Sequence, residues 1–146
     1  MNSLYLWLRF LHIVGVVAFV MPHGVSAAAS FAVRGQVTAQ TGRLLKLSQS
    51  ASFGSYPGLL LLIVTGVWMG FIGPWWSQKW IWAAIVVLVL VAVAMAGLAR
   101  PYYMAREAKD EAGIAERLNA ARPVAAAAIG GVGLLVLIFL MVFKPL

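Results

Sequence analysis

The chain has 146 residues, of which 63% are hydrophobic and 10% charged, and its formal net charge is +7. Soluble domains carry about 25% charged residues, and a compact soluble fold of this length cannot hide so much apolar surface. The composition therefore points to an integral membrane protein, and the absence of cysteine excludes disulfides, thiolate metal sites, iron–sulfur clusters and covalently attached haem.

A membrane-crossing helix needs about 20 mostly apolar residues. Four segments meet that need, at about 10–33, 53–73, 80–99 and 124–143. They predict an all-α polytopic membrane protein: one domain over 1–146, with four transmembrane helices in one bundle. Connecting segments cover about 34–52 and 100–123.

In the first span, Arg9 and Arg34 bracket 24 residues, about 36 Å of helix. The midpoint falls at "MPHG", so Pro22 predicts a kink near mid-membrane, with Gly24 adding slack. Residues 1–28 imitate a secretory signal, with Arg9 ahead of an apolar core and "VSA" as a small-residue end. The inboard position of that charge and the histidine within the core favour a retained span.

His12 and His23 lie eleven residues apart, about three turns plus 20°, so they share one helix face. Gly15, Phe19, Ser26 and Ser30 lie on the same stripe. Polar residues within a span turn towards the bundle interior. His12, His23, Ser26 and Ser30 are accordingly the candidate ligand-binding residues, and no catalytic residue or metal ligand set is assigned.

The segment "TGRLLKLSQS" sets Leu44, Leu45 and Leu47 beside cations and predicts a short interfacial helix. The second span presents Gly58, Gly66, Gly70 and Gly73 near one face, the third has Ala92, Ala96 and Gly97, and the fourth reads "AAAAIGGVG". Small faces let helix backbones approach closely. Four tryptophans, at 75, 76, 80 and 82, cluster around the short turn between spans two and three, as an interfacial belt requires.

The segment "REAKDEAGIAERLNAAR" is rich in helix formers and holds all four acidic residues. It predicts a solvated connecting helix started by Pro101, with an Arg106–Asp110 pair at a spacing of four. Pro123 is placed to start the fourth span.

Eight cations fall in the two longer connections: Arg34, Arg43, Lys46, Arg100, Arg106, Lys109, Arg117 and Arg122. Only Arg9, Lys79 and Lys144 fall on the other side. The positive-inside rule then predicts both termini outside and the two longer connections in the cytoplasm of a cell inner (plasma) membrane. The cations suit lipid phosphates as partners, and no basic motif of a nucleic-acid binder is present.

No Asp or Glu lies in any span, which argues against a proton-coupled transporter. The two histidines are about 16.5 Å apart by rise, too far to be both axial ligands of one haem. His–Met ligation by Met69, Met95 or Met141 is chemically allowed. Met21 and His23 suit Cu(I) by chemistry, but two residues apart they meet only if the helix breaks at Pro22. There is no nucleophile elbow, zinc-protease motif or phosphate loop.

The stretches "LYLWLRFLHIVGVVAFVMPHGVSAAASFAVRG", "LLKLSQSA", "GVWMGFIGPWWSQKWIWAAIVVL" and "PYY" resemble an uncharacterised bacterial family of small integral membrane proteins with four predicted helices. More distantly, "LRFLHIVG" is similar to the opening of membrane proteins related to copper-resistance protein D and of b-type cytochrome bundles. Those families carry further helix histidines that this chain lacks, so no functional residue transfers from them.

The sequence thus predicts a non-enzymatic membrane subunit or accessory protein that packs with itself or a larger complex. The alternative is a redox-associated or small-ligand protein centred on His23, with haem the leading cofactor ahead of quinone or copper. A small transporter ranks below both.

Overall fold

The structure is a computed structural model that describes residues 3–33 and 37–145. Arg34, which marks the inner end of the first span above, lies outside the described residues. Five α-helices and one 3-10 turn account for nearly all of the rest: α1 Ser3–Ala32, α2 Thr41–Ile72, the 3-10 turn Trp75–Ser77, α3 Lys79–Glu107, α4 Glu111–Ala120 and α5 Pro123–Phe143. Helices α1, α2, α3 and α5 are each long and apolar enough to cross a membrane. The protein is a four-span helical membrane protein, with α4 as a short connecting helix.

Two helix pairs organise the bundle. α1 packs along α2, and α3 packs along α5, whereas contacts between the pairs are sparse. Glycine sets the first pairing. A Cβ built on Gly58 would lie 2.6 Å from both the Ala18 carbonyl carbon and the Phe19 nitrogen, and one on Gly15 would lie 2.8 Å from the Leu62 nitrogen. Backbone therefore rests directly on backbone, an approach that only glycine permits here. In the second pair the contact is side chain on backbone, with Gly133 of α5 making room for the Val91 side chain of α3.

Three helices run through an internal proline: α1 through Pro22, α2 through Pro57 and α3 through Pro101. Pro22 has no N–H for the carbonyl of Ala18. Ala18 is also where Gly58 of α2 comes to rest. The lost intrahelical bond and the closest interhelical approach thus fall at one point.

The connecting segments differ from their sequence-based description. The stretch expected as a separate interfacial helix is the opening of α2, which starts at Thr41 and continues unbroken into the span. Leu45 on it is buried, Leu44 partly so, and Leu47 exposed. Pro101 does not begin a new helix, because α3 carries on through it to Glu107. The chain then turns extended at Ala108, and Asp110 caps α4 by accepting a hydrogen bond from the Gly113 N–H at 3.2 Å. The expected Arg106–Asp110 pair is replaced by that cap, because the helix ends between the two residues.

The main buried cluster sits at the end of the bundle that carries the two longer connections. It joins Val33 at the foot of α1, Leu45 of α2, Tyr102 and Ala105 of α3, and Leu118 of α4, with Ile114 against it. α4 is therefore docked by one apolar side instead of being solvated all round, and Arg117 adds a bond to the Met104 carbonyl at 2.9 Å.

The opposite end is closed by aromatic rings. Trp75 meets Tyr5 and Trp80 edge-on at 5.5 and 5.6 Å, and the Lys144 ammonium lies 4.7 Å from the Trp75 ring centre. These contacts gather the start of α1, the tight turn, the start of α3 and the end of α5. Lys144 ends α5 in the left-handed region (φ 48°) and donates its N–H to the Leu140 carbonyl.

Candidate functional site

The stripe predicted on α1 meets α2 through His12, Gly15 and Ser26, and its two histidines have different surroundings. His12 donates from Nδ1 to the Leu62 carbonyl at 3.0 Å and to the Thr65 hydroxyl at 3.1 Å. Thr65 can accept because its own proton goes to the Leu61 carbonyl at 2.6 Å. Gly66 makes room for the ring, since a Cβ there would lie 3.1 Å from His12 Cε1. His12 is thus an interhelical tie with a pocket built for it.

His23 is tied only to its own helix. Its Nδ1 donates to the Phe19 carbonyl at 2.8 Å, and its ring stands against Phe19 with centres 4.3 Å apart. Met21 is 67% exposed, and α1 is unbroken at Pro22, so Met21 and His23 stay on different faces. Among the described residues, no group of three or more His, Asp or Glu is placed to hold a metal ion.

These surroundings give opposite expectations for the two histidines. His12→Ala should destabilise the protein by about 1 kcal/mol, the scale of an interhelical hydrogen bond in a membrane. His23→Ala should stay within about 0.5 kcal/mol, because no other helix loses a partner. Thermal unfolding of both variants in detergent checks this, and equal losses would refute the assignment.

The larger polar cluster lies where α1, α2 and α3 meet near the longer connections. Ser26 and Ser48 bring their hydroxyls to 2.7 Å. Arg106 reaches in from α3 and donates from Nη2 to Ser48 at 2.6 Å and to Ser26 and Ser52 at 3.2 Å. Its guanidinium carbon stands 4.4 Å from the Tyr103 ring centre and 5.0 Å from that of Tyr102. Ser48 is fully buried. Arg106 Nε and the Tyr102 hydroxyl are both buried without a hydrogen-bond partner among the described residues.

The reason for this geometry is local. Ser48, Ser52 and Ser55 follow one another at spacings of four and three, so they line one side of α2. Ser52 and Ser55 return their protons to carbonyls one turn back, Ser52 to Ser48 and Ser55 to Ser52, which leaves the Ser52 oxygen free to accept. Removing a guanidinium from water costs several kcal/mol unless it is well paired. Here three hydroxyls and two aromatic faces partly offset that cost, each ring contributing on the order of 0.5–2 kcal/mol.

Of the four candidate residues from the sequence, Ser26 joins this cluster and His12 anchors α2. His23 and Ser30 are satisfied within α1, Ser30 by donating to the Ala27 carbonyl at 2.7 Å. Sequence reasoning does not find Arg106, Ser48, Ser52, Tyr102 and Tyr103. Their signal is the serine spacing on α2, which becomes visible once α2 is extended back to Thr41.

Compared with protein-family models, with curated proteins and with solved structures, the chain matches none. The chemistry open to the cluster is therefore that of its own atoms. It offers one fixed positive charge and several hydroxyls, with no carboxylate among the contacts of Arg106 within the described residues. Ser26 bonds to Ser48 and Arg106 rather than to His23, so the serine is not activated by the histidine three residues before it.

Proposed function

We propose that this protein is a non-enzymatic subunit or accessory protein of the cell inner membrane, which associates laterally with itself or with a larger membrane complex. The observation that carries this reading is the contrast between used and unused small residues. Gly15, Gly58 and Gly133 are consumed by packing inside the chain, whereas Gly97 of α3 and Gly131 of α5 have nothing within 4 Å of a built Cβ. Ala92 and Ala96 are exposed beside Gly97. α3 is also the span with least of itself covered, with 6% of its apolar window buried. Lipid tails gain nothing special from a small-residue face, but a second helix does.

The orientation in this reading has both termini outside, because the cation-rich connections belong on the cytoplasmic side. The buried cluster that docks α4 then lies at the cytoplasmic boundary, and the tryptophan-rich turn lies at the outer one.

Native mass spectrometry of protein extracted gently from its membrane is the test. A homo-oligomer or a stoichiometric protein partner is the expected result. Ala96→Leu should weaken the association about tenfold, about 1.4 kcal/mol, while leaving the fold of the monomer intact. A purely monomeric species, indifferent to that substitution, would sink the reading. Because the chain lacks cysteine, a single cysteine at Ser77 reports the orientation. An impermeant maleimide should label it in intact cells, and labelling only after permeabilisation would reverse the topology.

A further inference from the structure

The Arg106 cluster has more donors than its own acceptors use. Ser52 spends its proton on the Ser48 carbonyl. Ser26 and Ser48 share one hydrogen bond, so one of their two protons has no acceptor within the pair. Arg106 Nε–H is buried with no partner among the described residues. Nε and Nη2 form one edge of the guanidinium, the fork that takes two oxygens of a single oxyanion. That edge already borders the serines through Nη2. The unmatched chemistry is one positive charge and several hydrogen-bond donors, and its complement is an anion with several acceptor oxygens.

Depth narrows the choice. Ser26 lies six residues before the end of α1, about 9 Å of helix. Ser48 lies seven residues into α2, about 10 Å from its start. Arg106 itself stands in the last turn of α3, so the guanidinium lies at the end of the bundle where the apolar spans pass into the longer connections, the level of lipid phosphates. A basic group between helices at this boundary suits an anionic headgroup.

We infer that Arg106, with Ser26, Ser48 and Ser52, forms a binding site for a phosphate group, carried either by a lipid headgroup or by a free anion. The site is independent of lateral assembly, since it lies between α1, α2 and α3 and does not use the open face of α3.

The test uses the full chain, delipidated in a neutral detergent, with tryptophan fluorescence following thermal unfolding. One arm titrates inorganic phosphate against chloride at constant ionic strength. The other titrates short-chain phosphatidylglycerol against the matching diacylglycerol, which lacks the phosphate. A saturable rise in Tm in the phosphate arm identifies a free anion. A rise confined to phosphatidylglycerol identifies the lipid headgroup.

Arg106→Lys keeps the charge but loses the fork, and should weaken the apparent affinity about tenfold. Ser52→Ala leaves Arg106 two of its three hydroxyls and should weaken it severalfold, which keeps the test available if Arg106→Lys does not fold. Absence of a rise in both arms overturns the proposal. So does a rise of equal size and midpoint in wild type and in whichever variants fold.

Discussion

Gly58→Val is expected to push α1 away from α2 and to cost about 3 kcal/mol, at the upper end of the overpacking range. Two features place it there. The atoms that a new side chain would strike are the Ala18 carbonyl carbon and the Phe19 nitrogen at 2.6 Å, and backbone cannot rotate aside as a side chain can. The same strip of α1 lacks an intrahelical donor from Pro22, so the α1–α2 contact supports a helix already short of one bond. Gly54→Ala is the control. Nothing lies within 4 Å of its Cβ position, so the substitution should stabilise α2 by about 0.5–1 kcal/mol through helix propensity alone. Thermal unfolding in detergent reads both. Similar behaviour of the two variants would refute the close backbone contact.

Ser48→Ala is expected to destabilise the protein by about 2 kcal/mol, although it removes only one oxygen. That oxygen is the nearest acceptor of Arg106 at 2.6 Å, and Ser48 is fully buried. Deleting an acceptor from a part-buried charged donor costs about 1–3 kcal/mol, because the donor keeps its desolvation penalty. Arg106→Met should be milder than simple loss of its bonds implies, since removing the charge also removes that penalty. The double variant should therefore be less destabilised than the sum of the two singles, with a coupling of about 1 kcal/mol or more. Strict additivity in the double-mutant cycle would mean that the two residues do not act as a unit.

The four spans are legible in the sequence because an apolar run of about 20 residues matches the thickness of a bilayer core and exceeds what a soluble helix buries. The inward stripe of α1 is legible for a similar reason, since polar side chains in lipid must find partners, and His12 and Ser26 do. The extent of the helices is not legible. Hydropathy marks where apolar side chains stop, but backbone hydrogen bonding continues past that point. α2 thus includes "TGRLLKLSQS", and α3 includes "PYYMARE".

That one difference hides the cluster. With α2 begun at residue 53, Ser48 and Ser52 belong to a connecting segment and their spacing carries no meaning. An i to i+4 spacing draws Arg106 to Asp110, but it holds only within a continuous helix. The helix ends at Glu107, Asp110 becomes a cap, and the guanidinium is left to turn inward. Internal prolines mislead in the same way. Pro101 has the form of a helix start when read in isolation, yet it lies within α3.

The pairing of α1 with α2 and of α3 with α5 also bears on the order in which the protein is made. Every contact that brings Gly15 onto Leu62 and Gly58 onto Ala18 lies before Ile72. The first hairpin is therefore complete in its own packing surfaces before α3 has been synthesised. Its bonds to Arg106, and the ring of Trp80 against Trp75, become available only as the next segment enters the membrane. Synthesis from the N-terminus thus delivers one finished hairpin and then the parts that fasten the second to it at either end.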